Sequence, residues 1–255
     1  MKRVVVISDM HCGHRLGLTP PTAHRDVNGR IRKLQDALWD WYSDQAAGLG
    51  KVDLLVVNGD AIDGNAKRNG GVELFTTDRH LQADAAVACV EEFNATRVVV
   101  ISGTPYHSGD CEEFERHLAT RLGAEFAGRR EVRVEGVVFN FRHHIGSSAL
   151  HHGRATAVLR SQLNDILDKS VGRGGQIADV IVRSHAHYYV HVENGVGHAF
   201  VTPALQINSN YGVTRCEGLT DLGFLSFDVG GRDDWSYRHH RFKADLLRVE
   251  PMEVR

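Results

Sequence analysis

Five times along this 255-residue sequence, a short apolar run ends in residue types that bind metal ions or move protons. Val4 to Ser8 leads into Asp9-Met10-His11, and Leu54 to Asn58 leads into Gly59-Asp60. Val98 to Ser102 leads into Gly103-Thr104-Pro105-Tyr106-His107, Val137 to Arg142 into His143-His144, and Val180 to Arg183 into Ser184-His185-Ala186-His187. One such pair is commonplace in an exposed loop, but five on successive run ends amount to a site signature. Carboxylates mixed with imidazoles suit Mn²⁺, Fe or Zn²⁺, whereas an all-oxygen set would suit Mg²⁺ or Ca²⁺.

Asp9 and His11 are one residue apart, so an extended backbone would aim both side chains the same way, as a shared ion needs. His185 and His187 repeat that spacing. At the double histidine, period-two counting puts His143 on the face of Val137, Phe139 and Phe141, and His144 on that of Asn140 and Arg142. His143 is therefore chosen as the ligand, and a bulge before the strand end would exchange it for His144. Cys12, beside His11, reads as a small buried apolar residue.

Side chains gathered in this way need rigid strands whose ends share one rim, the place where open α/β sheets hold their ligands. The apolar runs predict strands over Arg3–Ser8, Asp53–Asn58, Arg97–Ser102, Val137–Arg142 and Asp179–Arg183. Apolar residues at three- and four-residue spacing predict helices over Ile31–Ala47, Asp78–Phe93, Asp110–Arg121 and Arg154–Asp168. Beyond Arg183 the pattern becomes strands with Gly-rich turns: Tyr188–Val192, His198–Val201, Gly223–Val229 and Trp235–Phe242. Alternating βα units followed by strands predict an α/β chain of two sheets packed face to face with helices outside, and no composition break marks a linker, so one domain over 1–255 is expected. The polar stretch His14 to Arg30 reads equally as a functional loop over the strand ends and as an insertion without a role.

Composition narrows the function classes. Hydrophobic residues make up 42% and charged residues 24%, which excludes long disorder or a fibrous repeat. A net charge of −2 gives the whole chain no general attraction for nucleic acid or an acidic membrane. Arg129, Arg130, Arg133 and Arg142 are the candidates for a local basic patch, and they read as scattered solvated charges. The run Val4–Ile7 is too short for the apolar part of a signal peptide, and no run is long enough to span a membrane. Four cysteines without CxxC spacing indicate neither a zinc ribbon nor a dithiol site. Together these features fit a reduced cytoplasmic protein. Of the sixteen histidines, His80, His117, His151, His152, His191, His198, His239 and His240 do not share the strand-end pattern and are left without chemistry.

These residues in this order resemble the calcineurin-like metallophosphoesterase superfamily, whose elements are DxH, GDxxD, GNH, a strand-terminal His and GHxH. Here they read Asp9-Met10-His11, Gly59-Asp60-Ala61-Ile62-Asp63, Gly103-Thr104-Pro105-Tyr106-His107, His143 and Ser184-His185-Ala186-His187. The resemblance implies a four-layer αββα sandwich of two mixed β-sheets flanked by helices. It also implies two divalent ions, most simply Mn²⁺, with Asp60 between them, Asp9, His11 and His187 on the first, and His143 and His185 on the second. Two elements depart from the family: Ser184 stands for a Gly, and the GNH element has two extra residues before its His. Thr104 stands where the metal-binding Asn would be, or His107 bends back as ligand or acid. The altered element, the double His and the loop after Asp9-Met10-His11 look similar to phage and prophage members.

The expected chemistry is hydrolysis of a phosphate ester, with a bridging hydroxide attacking phosphorus in line and His107 serving the leaving oxygen. A phosphodiester is the first expectation, nucleic acid or a nucleotide being one form of it. A phosphomonoester fits the same metal core. A scaffold that has partly lost the site is the reading of another class, motivated by the rewritten GNH element.

Overall fold

The structure, a computed structural model, describes residues 1–23, 29–65, 70–108, 113–173, 175–207 and 220–243. Strands β1 (Lys2–Ile7), β2 (Leu54–Asn58) and β3 (Val98–Ile101) are β-branched runs that pair in parallel, Val4 opposite Leu54 and Leu55 opposite Val98. Parallel neighbours need crossovers, and helices α1 (Gly29–Leu49) and α2 (Arg79–Glu91) supply them. After the short helices α3 (Pro105–Ser108) and α4 (Glu113–Arg121), strand β4 (Glu125–Ala127) adds to β3. On the other side of β1 the late strand β10 (Gly223–Gly231) pairs antiparallel, with β11 (Asp234–Arg241) beyond it.

The second sheet begins with a hairpin of β5 (Arg130–Val134) and β6 (Val137–Phe141). Its two-residue turn, Glu135-Gly136, has φ of 46° and 88°, the left-handed pair such a turn requires. Helix α5 (Arg154–Ser170) crosses to β7 (Val180–Arg183), parallel to β6, and the hairpin of β8 (Val190–Asn194) and β9 (Gly197–Val201) completes the order β5-β6-β7-β9-β8.

Alternation along the strands decides what lies where. Val4, Val6, Leu54 and Val56 meet Phe139, Phe141, Val180 and Phe200 in a core between the sheets. Val5, Ile7, Leu55 and Val57 turn the other way, onto Leu38, Tyr42, Val90 and Phe93 of the helical side. Each such buried side chain contributes roughly 1.5–3 kcal/mol. The result is the four-layer αββα sandwich of two mixed sheets.

Helix α5 departs in part from this pattern: Val158 and Ala157 pack on Ala199 and Val201, but the rest of the fully buried side is polar. Ser161, Gln162 and Asp165 are buried beside a single Val158. They take hydrogen bonds from Arg183 (2.9 Å), Asn194 (2.8 Å) and Asn140 (2.9 Å).

Strands β4 and β5 were not expected from the sequence. Both are sheet edges: β4 has only three residues, too few for a pattern, and the Arg and Glu residues of β5 conceal its pairing. Of the helix expected over Asp110–Arg121, residues 110–112 lie outside the described residues. Arg129, Arg130 and Arg133 are engaged with Asp165 (2.8 Å), Glu125 (2.7 Å) and Gln176 (2.8 Å), so they form no free basic patch. Among the described residues no helix is long and apolar enough to cross a membrane. Cys12 and Cys89 are free and buried, while Cys111 and Cys216 lie outside the described residues.

Candidate metal centre

The parallel pairing of β1 and β2 continues past the strand ends. The N–H groups of Asp9, His11 and Cys12 donate to the carbonyls of Gly59, Asp60 and Ala61, each at 3.0 Å. Two turns thus run side by side and bring Asp9, His11 and Asp60 together. From the second sheet, the His185 N–H reaches Asp9 Oδ2 at 3.3 Å and joins the rims of both sheets.

The backbone here is not extended. Asp9, His11, Asp60, His185 and His187 have φ of 49°, 47°, 50°, 71° and 55°. That corrects the expectation that two-residue alternation aims these pairs: each of these five residues sits in the left-handed region, and turns, not pleats, make their side chains converge. A non-glycine residue held there costs on the order of 1–3 kcal/mol, and such strain persists where the surroundings over-determine it.

Three overlapping groups of donor atoms result, each within 4.8 Å: Asp9, His11 and His187; Asp60, His143 and His185; and His11, Asp60 and His107. His11 Nε2 and His187 Nε2 are 3.2 Å apart, and His187 Nε2 is 3.2 Å from Asp9 Oδ1. His143 Nε2 lies 3.0 Å from Asp60 Oδ2, and His185 Nδ1 lies 3.8 Å from the same oxygen. His143 is buried and belongs to a donor group, whereas the His144 ring lies tilted against that of His185, with centres 4.7 Å apart.

Neighbouring groups choose which nitrogen faces inward. His143 Nδ1–H donates to the Asn58 carbonyl at 2.7 Å, and His11 Nδ1–H donates to Asp63 Oδ1 at 2.9 Å. In both rings Nε2 is left to the site, the orientation metal-binding imidazoles require. His107, on α3, donates Nδ1–H to the Asp63 carbonyl at 2.9 Å and lies edge-on to His11 with ring centres 4.6 Å apart.

Thr104 is placed differently from the expected ligand. Its N–H donates to Asp60 Oδ1 at 2.7 Å, and its hydroxyl lies 2.9 and 3.1 Å from the two oxygens of Asp60. It holds the central carboxylate, and its hydrogen is spent there. Glu115, fully buried on α4, accepts the N–H groups of Ala61 and Gly103 and so ties the Asp60 turn to the Thr104 turn. Ser184, in the place of the family Gly, joins a buried chain that runs from Asn58 through Ser184 and Thr202 to Ser8.

Charge is set by burial and proximity. Burial would raise the Asp9 carboxyl, but the charges of His187 and His143 outweigh it and hold it at about 2. Asp60 is likewise held well below the usual range, with burial opposed by His143 and His185. Burial pushes His143 down, yet Asp60 and Asp9 lift it to about 10. Burial keeps His11 below its ordinary value and therefore neutral at pH 7. Burial, with the nearby Asp60 charge, raises Glu115 to about 7.

The donor set fits divalent cations. Asp9 Oδ1 is buried without a hydrogen bond and lies 3.2 Å from His187 Nε2, with His11 Nε2 beside that nitrogen. Without a cation, His143 carries a proton that partly replaces the missing positive charge.

Of the expected residues, Asp9, His11, Asp60, His107, His143, His185 and His187 come together, and Thr104 joins them as a donor to Asp60. Sequence reasoning missed Glu115, Asn58 and the anchoring part played by Asp63. The one signal for Glu115 was an acid three and four positions before Leu118 and Ala119 on the buried side of its helix. Of the loop after Asp9-Met10-His11, His14, Leu18 and Thr19 pack against the site turn, and residues 24–28 lie outside the described residues. His191, His198 and His239 pair instead with Tyr237, Trp235 and Tyr189 where the two sheets meet.

No curated protein matches the chain. Among solved structures, a double mutant of Vps29 from Entamoeba histolytica aligns with a TM-score of 0.48 and 11% identity, covering 94% of this chain and 99% of its own. Wild-type Vps29 from the same organism in complex with zinc aligns at 0.45 and 10%, covering 94% and 99%. A novel archaeal phosphodiesterase aligns at 0.42 and 14%, covering 93% and 99%. The calcineurin-like phosphoesterase family pattern matches residues 2–154, more than half of the chain and the part that carries Asp9, His11, Asp60, His107 and His143, and the chain belongs to that family.

Proposed function

We propose that this protein is a metal-dependent phosphodiesterase with two divalent ions, most simply Mn²⁺. The observation that carries this reading is the pair of donor groups, Asp9-His11-His187 and Asp60-His143-His185, packed together with Asp9 Oδ1 buried and without a hydrogen bond. Asp9, His11 and His187 would hold one ion and His143 and His185 the other, with Asp60 between them. Such ions supply Lewis acidity toward phosphate oxygens and acidify water.

The chain's own residues do the rest. Asn58 and Asp63 fix the ring orientation of His143 and His11. Thr104 holds the Asp60 carboxylate still with its N–H and O–H. His107 has its Nδ1–H committed to the Asp63 carbonyl, so Nε2 is the atom that can carry a proton to a departing alkoxide. The left-handed turns place these groups before substrate arrives, so little reorganisation is left for the reaction.

The test is turnover of bis-p-nitrophenyl phosphate and p-nitrophenyl phosphate by metal-stripped protein re-supplied with Mn²⁺, Zn²⁺ or Fe²⁺, comparing wild type with Asp60→Asn. Preference for the first compound, lost in the variant, is the expected outcome. Preference for the second makes the protein a monoesterase. Absence of turnover together with absence of tight divalent binding by calorimetry would leave the scaffold reading.

A further inference from the structure

Helix α5 is inverted. It packs on β8 and β9 through Val158 and Ala157, with the polar Ser161, Gln162 and Asp165 buried beside them, while Leu159, Leu163 and Leu167 on its outer side are 37%, 53% and 54% exposed. Val171, which caps the helix, is 70% exposed. Four-residue spacing puts the four in one stripe about 18 Å long.

A surface helix ordinarily turns such a stripe toward its own sheet. Here the alternative is blocked: Asp165, buried under α5, accepts from Asn140, Arg129 and the Ala178 N–H, and Ser161 accepts from Arg183. Rotating the helix to bury the leucines would leave these groups without partners at several places. The outward stripe is therefore a fixed feature of the folded chain, and a contiguous exposed apolar stripe marks a contact surface.

We infer that α5 is the contact between two copies of this chain, paired antiparallel about a twofold axis near Leu163. The order of charges identifies the occupant. Arg160 and Asp168 lie on the same flank of the stripe, each directly after a leucine. An antiparallel pair sets Leu159 against Leu167 of the second copy and Leu163 against its own equivalent. The same pairing brings Arg160 to the same side as Asp168 of the second copy, two residues or about 3 Å out of direct register along the axis and within reach of the long arginine side chain, and by symmetry does so twice. A parallel pair would carry the flank of Arg160 and Asp168 to opposite sides of the contact in the two copies, so that no Arg160–Asp168 pair forms. A helix lying on an acidic bilayer would flank its apolar stripe with basic residues, and Asp168 stands in that place. A single helix pair buries an area at the low end for specific contacts, so a reversible dimer with a dissociation constant in the micromolar range, ~1–100 µM, is expected.

The test is sedimentation equilibrium of the full chain from about 1 to 200 µM, bracketing that range, with circular dichroism melts showing that each variant is folded. Wild type is expected to dimerise reversibly, Leu163→Asp to weaken dimerisation at least about 100-fold and Arg160→Asp about tenfold. Arg160→Asp combined with Asp168→Arg restores it, because the pair is re-formed with its signs exchanged. A wild type that stays monomeric throughout, a dimer indifferent to Leu163→Asp, or a failed restoration overturns the inference. So does a monomer that floats with anionic vesicles, which would assign the stripe to lipid. None of these readouts depends on the metal centre, so this inference and the proposed function fail separately.

Discussion

His11 and His187 meet nitrogen to nitrogen, Nε2 to Nε2, at 3.2 Å. His11 has given its other N–H to Asp63, so its inward nitrogen offers only a lone pair. Asp9 Oδ1 lies beside them, 3.2 Å from His187 Nε2, and its charge favours a cation at that place, a proton on His187 or a metal ion. Such an arrangement is stabilised by a cation. Removing metal with EDTA should lower the melting temperature, and Mn²⁺ at about 100 times its dissociation constant should restore roughly 2.7 kcal/mol. Identical melts with and without metal would remove the basis for the site.

Metal uptake should release protons. With Asp60 and Asp9 beside it, His143 sits at about 10 in the metal-free chain, against an ordinary 6.5. It is thus protonated at pH 7 and must lose that proton to bind an ion. Affinity should rise as pH rises toward 10. Calorimetry in buffers of different ionisation enthalpy reads the proton directly; a heat independent of buffer counts against it.

Asp63 supports two imidazoles, His11 through its carboxylate and His107 through its carbonyl. Asp63→Ala should lower divalent affinity by about 10- to 100-fold while leaving the fold intact, since it frees the His11 ring to turn. Because the His107 hydrogen bond is to backbone, with the Asp63 carboxylate 3.5 Å away, that ring should stay in place. Metal titration followed by calorimetry checks the affinity.

Glu115→Ala strands the buried amide of Ala61 and the partly buried amide of Gly103. Each unpaired amide costs about 1–3 kcal/mol, so urea unfolding should move to clearly lower midpoints. Gly103→Ala acts at the same place by overlap, since a Cβ there would collide with the Asp60 carboxylate and its backbone. It should abolish metal-dependent turnover. A Gly103→Ala protein with wild-type activity would mean that Asp60 is not held where the structure puts it.

His240 lies away from the metal centre, buried between Ser226 Oγ at 2.9 Å and Gln45 Oε1 at 3.0 Å. Gln45 accepts Nδ1–H, and Ser226 donates to Nε2, so the neutral ring is fully used. Burial, with the charges of Arg238 and His239, depresses it to about 4 from 6.5. The unfolded chain therefore binds the proton first, and the stability this residue contributes is complete above pH 6.5 and is lost as pH falls toward 4. Urea midpoints of metal-free protein at pH 7.5, 5.5 and 4.5 should fall less steeply in His240→Gln than in wild type.

Much of the site was legible because its residues come directly after apolar runs. Val4–Ile7, Leu54–Asn58 and Val180–Arg183 are strands by local pattern, and a residue just past a strand end must lie at a sheet rim. The cause of the Asp9/His11 and His185/His187 convergence was not legible, because left-handed turns leave no mark on ordinary side-chain spacing. Thr104 and Glu115 were obscure for another reason: their partners are Asp60, 44 residues from Thr104, and backbone amides, which no residue type announces.

What the sequence by itself determined is local: which segments are strands or helices, and that Asp9, His11, Asp60, His107, His143, His185 and His187 stand at element ends. Tertiary structure decided which of these meet, which nitrogen of each ring faces inward, and that β10, from the far end of the chain, lies beside β1. It also turned α5 over. Leucines at four-residue spacing specify a helix with an apolar side, but which side faces the sheet depended on Arg183 and Asn140, and their demand for Ser161 and Asp165 outweighed the leucines. Periodicity acts within one element, whereas unpaired buried donors act across elements, and only the assembled fold can set one against the other.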